Sequence, residues 1–165
     1  MSKSEDNLKT AFAGESQANR KYLAFAEKAD NEGHPQAARL FRAAAHAETV
    51  HAHNHLRALK GIGSTEENLG EAISGETHEF KEMYPGMIKT AEDEGNNAAK
   101  RTFHYANEVE KVHADLYTKV LDGIGTKQEE YPYYVCPVCG YTAETEAPEK
   151  CPICNTPGGK FELFD

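Results

Sequence analysis

The most constraining feature of the chain is a repeated pattern, in which a lone glutamate is followed 33 or 34 residues later by Glu-x-x-His. Residues three apart on an α-helix lie on one face, so a carboxylate and an imidazole at this spacing can share a metal ion. The repeat predicts that a helical hairpin occurs twice within residues 1–122. The two copies are Glu15 with Glu48 and His51, and Glu76 with Glu110 and His113.

These glutamates fall on apolar helix stripes and not on charged ones. Glu15 shares three-and-four spacing with Phe12 and Tyr22, and Glu110 shares it with Phe103. A carboxylate at a core position is costly unless it is protonated, paired or bound to a metal, and these stripes offer no Lys or Arg. The pattern favours a two-metal four-helix bundle over the alternative of a solvated charge run.

Glu79 breaks the symmetry of the duplication. It follows Glu76 by three residues, whereas the matching position after Glu15 is Ala18. One half therefore has a spare carboxylate, although the spacing alone also allows a surface glutamate. With Glu79 the set holds five carboxylates and two imidazoles, which favours iron or manganese over zinc or copper.

The four cysteines of the chain form two Cys-x-x-Cys knuckles near the C-terminus. Two such knuckles suit tetrahedral zinc or a single iron, and spacing alone favours zinc. The sequence has no apolar run typical of a signal peptide or a membrane span, so we expect a reducing, cytoplasmic location and metal rather than disulfides. The candidate ligands are Cys136, Cys139, Cys151 and Cys154.

Several stretches resemble rubrerythrin, a family of non-haem iron proteins. They are FAGESQANRKY (12–22), AETVHA (47–52), GETHEF with MYP (75–85), EKVH (110–113) and the rubredoxin-like CPVCGY (136–141). The resemblance implies an all-α four-helix ferritin-like bundle with a small C-terminal rubredoxin-like domain of short strands and knuckles. We expect a di-iron bundle over 1–122, a linker over 123–134 and an iron domain over 135–165.

The resemblance also implies an activity. Rubrerythrin-like chains reduce hydrogen peroxide to water in oxidative-stress protection, with two irons in the bundle and one rubredoxin-type iron in place of the zinc favoured by spacing. Electrons would come from rubredoxin or a similar donor protein, and ultimately from NADH. A ferroxidase or oxidase that handles iron in the same bundle, and a structural protein with zinc at both sites, are the alternatives.

Individual roles follow from the same resemblance. Glu48 and Glu110 would bridge the irons, Glu15 and Glu76 would be terminal, and His113 would bind one iron. The other iron would exchange partners with redox state, between Glu79 when oxidised and His51 when reduced. Tyr22 and Tyr84 match tyrosines that hydrogen-bond the carboxylates, while plain core packing is the alternative for both.

The assembly is constrained by the connection between the two hairpins. Parallel second and third helices would leave an axial gap of about 30 Å, whereas an extended link of about eight residues reaches about 27 Å. Either the helix ends unwind or the hairpins are exchanged between two subunits. The resemblance implies a head-to-tail homodimer, in which one subunit's thiolate iron lies near the other's di-iron site.

The net charge of the chain is −9, and the sequence has no basic cluster. This composition argues against binding to nucleic acid and to anionic membranes.

Overall fold

The computed structural model of the chain describes residues 2–127 and 129–165, and these fold into α-helices followed by a small three-stranded sheet. The fold class expected from the sequence is confirmed. The chain divides into two compact units, Met1–Gly63 and Ser64–Asp165. The helices are α1 (Lys3–Asn31), α2 (Pro35–Ala58), α3 (Thr65–His78), α4 (Tyr84–Asp93) and α5 (Asn97–Gly123), and the strands are β1 (Tyr133–Val135), β2 (Thr142–Glu144) and β3 (Glu162–Phe164).

The first unit is a helical hairpin of α1 and α2. A capping box at Ser2 starts α1, and the break between α1 and α2 before Pro35 contains Gly33 with φ of 78°. The buried apolar residues are small, so the two helices can approach closely. Asn19 is the buried polar exception, because its amide donates to the Ala45 carbonyl at 2.7 Å and to Thr49 at 2.8 Å. The buried alanines are Ala26, Ala29, Ala38, Ala45 and Ala52.

The second unit packs α3 and α4 against α5. The sequence predicts an interruption at Pro85 and Gly86, and the structure has a π-helical turn over Glu79–Met83 immediately before them. The Tyr84 N–H bonds back to the Glu79 carbonyl across this wider turn. Pro85 then lies in the first turn of α4, where a proline's missing N–H is tolerated.

The C-terminal part of the second unit is an antiparallel sheet of order β2-β1-β3 that carries the two cysteine knuckles. Each knuckle turns at the residue after its second cysteine, Gly140 with φ of 84° and Asn155 with φ of 62°. Strand β1 begins at Tyr133, near the end of the expected linker. The boundaries at 122 and 134 stay predictions, and Met1 and Gln128 within those ranges lie outside the described residues.

This small domain is attached to α5 of its own chain through the Glu144 cluster, formed by Lys119, Tyr131 and Glu144. The Lys119 ammonium lies 2.8 Å from both Glu144 carboxylate oxygens and 5.3 Å from the centre of the Tyr131 ring. The Tyr131 hydroxyl donates to Glu144 at 2.6 Å. Hydrogen bonds from Lys119 and then Tyr131 lower the pKa of Glu144, and the bond to Glu144 is the main reason that the pKa of Tyr131 rises to about 12.

Acid should therefore loosen the small domain from α5. Because the folded-state pKa of Glu144 lies below the ordinary value of 4.5, its stabilisation is complete above that value and is lost as the pH falls through the folded pKa. Amide hydrogen-exchange protection in residues 142–144 is expected to drop on acidification, and Glu144→Gln should show the lower protection already at neutral pH. Glu146→Gln, at an exposed position nearby, serves as the control. Protection in Glu144→Gln equal to wild type would contradict this account.

Candidate metal centres

Three candidate ligands converge in the first unit, which we call the hairpin triad: Glu15 from α1, and Glu48 and His51 from α2. The Nδ1 atom of His51 lies 2.9 Å from Glu48 Oε2 and 3.9 Å from Glu15 Oε1. The i, i+3 spacing of α2 places His51 beside Glu48, and hairpin packing brings Glu15 to them. The His51 side chain is 53% exposed, so this triad is open to one side.

The second unit repeats the arrangement in the α5 triad: Glu76 from α3, and Glu110 and His113 from α5. The Nδ1 atom of His113 lies 2.9 Å from Glu110 Oε2 and 3.8 Å from Glu76 Oε1. The two triads thus agree to within 0.1 Å in these distances, since 3.9 and 3.8 Å correspond. The duplication read from the sequence therefore extends to the positions of individual nitrogen and oxygen atoms.

The electrostatics of the α5 triad favour a bound cation. Burial, and then the negative charge of Glu110, raise the pKa of Glu76 to about 7. The pKa of His113 is raised in turn, chiefly by its hydrogen bond to Glu110. A buried carboxylate such as Glu76, which keeps its proton near neutrality beside a second negative charge, is stabilised when a metal ion replaces that proton.

Glu79 lies beside the α5 triad and not within it. It is the first residue of the π turn, and its pKa is raised by burial and then by the charge of Glu110. A π turn inserts one residue into the helical repeat and so changes the direction in which its side chains point. The sequence motif of Glu76 and Glu79 did not indicate this geometry; Pro85 was the only signal of it.

The two tyrosines differ in their surroundings. The Tyr84 ring packs against Phe103 at 6.3 Å, and its pKa is raised by burial and then by nearby negative charge, first that of Glu79. Tyr22 lies among the aromatic rings of the first unit, 6.4 Å from Phe25 and 6.1 Å from Phe41. Hydrogen bonds from these hydroxyls to the candidate ligands stay predictions.

The four cysteine sulfurs form a compact cluster in which the Cys136–Cys154 and Cys139–Cys151 Sγ pairs are each separated by 3.5 Å. A disulfide requires about 2.05 Å, whereas sulfurs about 2.3 Å from one tetrahedral metal lie about 3.8 Å apart. Burial works against ionisation of the Cys154 thiol. Its bonds with the Thr156 hydroxyl and backbone nevertheless lower its pKa to about 6.

Comparison with known proteins decides the family. Residues 6–121 match the family model described as rubrerythrin, and residues 134–162 match the model of the rubrerythrin rubredoxin-like domain. The chain belongs to the rubrerythrin family. It is 41% identical to rubrerythrin-2 of Clostridium acetobutylicum, over 96% of this chain and 95% of that one. It is 36% identical to nigerythrin of Nitratidesulfovibrio vulgaris, over 96% of this chain and 85% of that one.

A solved structure agrees with this assignment. Fully reduced, all-ferrous nigerythrin superimposes with a TM-score of 0.61 at 35% identity, covering 99% of this chain and 88% of that one. As a rubrerythrin, the protein is an oxidoreductase with a di-iron site and takes part in oxidative-stress defence. Its four-cysteine cluster fits a one-iron centre, and its carboxylate and histidine groups fit the di-iron centre. No helix within the described part of the chain is long and apolar enough to cross a lipid bilayer.

One contact of this rubrerythrin was missed from the sequence. His113 Nε2 lies 3.0 Å from the Thr142 hydroxyl on β2, so the α5 triad touches the small domain of its own chain. The expectation that one subunit's thiolate iron lies near the other's di-iron site stays a prediction. Thr142 stands 29 residues from His113 and in no ligand motif, and nothing in its sequence context signals the contact.

Proposed function

We propose that this rubrerythrin reduces hydrogen peroxide to water, with electrons that reach its four-cysteine iron from a separate donor protein and ultimately from NADH. One observation supports this most strongly. The small domain with its four thiols is attached to α5, the same helix that carries Glu110 and His113. An iron that carries electrons and a site that uses them would thus share one structural element.

The proposed di-iron ligands are the members of the two triads together with Glu79. In this assignment Glu48 and Glu110 would be the bridging carboxylates and Glu15 and Glu76 the terminal ones. His113 would hold one iron through Nδ1, the ring nitrogen that faces Glu110. A bound di-ferrous centre would supply the two electrons that, with two protons, convert one peroxide into two water molecules. Tyr84, close to the charges of Glu79 and Glu76, and Tyr22 orient the carboxylates in this proposal.

Glu79 and His51 are proposed as alternative ligands of the second iron. Glu79 starts the π turn beside the α5 triad, and π turns are typical of functional sites at which a helix is distorted. His51 is the more exposed of the two triad histidines, at 53% against 27% for His113. The exposure of His51 and the helix distortion at Glu79 support this exchange of ligands.

Replacing Glu79 with alanine should leave two irons bound but slow peroxide turnover. The six triad residues remain, whereas the oxidised state loses the carboxylate proposed to stabilise it. We expect a loss of about 10- to 100-fold in stopped-flow oxidation of the reduced protein by peroxide. Glu82→Ala is the matched control, since Glu82 lies on the same π turn with its side chain 73% exposed. Oxidation of the Glu79 variant at the wild-type rate would refute the role.

The identity of the metal can be tested by colour. A red protein whose visible absorption bleaches on reduction supports iron at the four cysteines, in line with the family. A colourless protein with zinc at both sites would instead support the structural alternative.

The unpaired thiols are the reason that we place the protein in the reducing cytoplasm. The division into a bundle, a linker and an iron domain, with boundaries at 122 and 134, remains part of the proposal.

We further propose a homodimer with exchanged hairpins. The connection between α2 and α3 covers only residues 59–64, and six extended residues reach about 20 Å. A four-helix bundle with parallel α2 and α3 built from one chain would need about 30 Å. The hairpin also has large apolar side chains that are exposed, Phe25 at 47%, Leu40 at 68% and Val50 at 47%, as expected of a surface that packs against another subunit.

Complementation between two inactive variants tests the exchange. One chain carries Glu48→Ala and His51→Ala, and the other carries Glu110→Ala and His113→Ala. In an exchanged heterodimer the intact hairpin of one chain meets the intact second unit of the other. Random mixing should then restore about a quarter of the wild-type number of di-metal sites. Metal content that stays at the level of the separate variants would show that each site is built from one chain.

A further inference from the structure

The two triads are alike at Nδ1 of their histidines and differ at Nε2. His113 Nε2 lies 3.0 Å from the Thr142 hydroxyl, whereas the described residues provide no such partner for His51 Nε2. The sequence repeat contains no basis for this difference, because both motifs are Glu-x-x-His. The difference comes from the small domain, which contacts α5 through β2.

The direction of the hydrogen bond follows from the second partner of Thr142. The Thr142 hydroxyl donates its only proton to the Gly140 carbonyl at 3.2 Å, so towards His113 it acts as an acceptor. Nε2 of His113 must then carry a proton. In this structure Nδ1 also donates, to the Glu110 carboxylate. A metal bound at Nδ1 would take the place of that proton, and the proton left on the ring would be the one that Nε2 donates to Thr142.

The position of Thr142 depends on the first cysteine knuckle. Thr142 pairs with Val135, the residue before Cys136, and the Gly140 N–H bonds to the Cys136 carbonyl at 2.9 Å. At the other end of β2, Glu144 is bonded to Lys119 of α5. The fold of the four-cysteine site thus determines the position of the Thr142 hydroxyl, which accepts the hydrogen bond from His113.

We propose that Thr142 is the positioning residue that makes His113 the fixed histidine of the di-iron site. The functional importance of a fixed His113 rests on the proposed function. If the iron ligands change with redox state, the site needs one histidine that stays in place and one that moves. The symmetry of the duplicated bundle is in this view broken twice, by Glu79 within the helix and by Thr142 from the small domain.

The test uses the full chain loaded with zinc at all sites and labelled with ¹⁵N-histidine. We expect a slowly exchanging Nε2 proton for His113 in wild type and a rapidly exchanging one for His51. Thr142→Val, which keeps the shape but lacks the hydroxyl, should lose the protected proton, and Thr142→Ser should restore it. Thr102→Val is the matched control, because Thr102 is an exposed threonine of the same helix as His113 and its hydroxyl donates to the Ala98 carbonyl one turn earlier.

A second measurement is zinc affinity at the bundle site after the four-cysteine site has been filled. Thr142→Val should weaken this affinity by about tenfold, the usual size for loss of a partner that orients a histidine ligand. A protected His113 proton in Thr142→Val, or its absence in wild type, would overturn the proposal. The zinc protein performs no peroxide chemistry, so these outcomes are independent of whether the peroxidase proposal succeeds.

Discussion

Cys136→Ala should abolish donor-dependent peroxide reduction while the helices keep their di-metal site. Cys136 is only 1% exposed, and its backbone closes the first knuckle through bonds with Tyr141 and Gly140. About 30 residues cannot form a stable core without their metal, so loss of one thiolate should unfold the small domain. We expect steady-state turnover to fall by more than about 100-fold, because electrons would no longer reach the bundle.

Two measurements distinguish this loss from general damage. Metal analysis of Cys136→Ala should still find the two irons of the bundle, and a chemically reduced sample should still react once with peroxide. Val138→Ala is the matched control, since Val138 lies in the same knuckle, is 59% exposed and is not a sulfur ligand. Steady-state activity of Cys136→Ala near that of Val138→Ala would contradict a relay through the cysteines.

Glu110→Ala should remove the di-metal centre itself. Glu110 is the residue that His113 Nδ1 approaches most closely, and its charge raises the pKa values of both Glu76 and Glu79. Without Glu110 the α5 triad loses its proposed bridging carboxylate. The repulsion between neighbouring carboxylates, which favours binding of a cation, also becomes weaker. Metal affinity in the bundle should drop by more than about 100-fold, with loss of all peroxide reactivity.

The control for Glu110→Ala is Glu108→Ala, a removal of charge at an exposed position two residues earlier on α5. The four-cysteine site should keep its iron in both variants, and helix content should be unchanged. Two irons retained in Glu110→Ala at wild-type affinity would show that the bridging assignment is wrong. Retention of one iron would indicate that the two triads hold their metals independently.

The parts that sequence predicts well are those determined by local spacing. The three-residue step between Glu48 and His51 and between Glu110 and His113 places each pair on one helix face in any α-helix. The structure accordingly brings both pairs together at 2.9 Å. The two cysteines of each knuckle are brought together for the same reason, because a knuckle is a local turn. The approach of the two knuckles to each other, with Cys136 and Cys154 18 residues apart in the chain, depends on tertiary structure.

The parts that sequence did not predict depend on contacts between distant residues. Thr142 meets His113 across 29 positions, and Lys119 meets Glu144 across 25, so no helical or strand period relates them. The interruption of the helix near Pro85 is predicted from the sequence, but its form, a π turn that begins at Glu79, is not. Attachment of the small domain to its own α5 likewise follows from tertiary packing. The expected approach of one subunit's thiolate iron to the other's di-iron site stays a prediction.

The central claim, that peroxide is the oxidant, is tested most directly by anaerobic reduction of the iron-loaded protein followed by mixing with peroxide or dioxygen. Both centres are followed by their visible absorption in the same stopped-flow experiment. The peroxidase proposal expects fast reoxidation by peroxide and slow reoxidation by dioxygen, with the four-cysteine iron reoxidised after the bundle. Fast reoxidation by dioxygen with slow reoxidation by peroxide would contradict it and would favour an oxidase or ferroxidase.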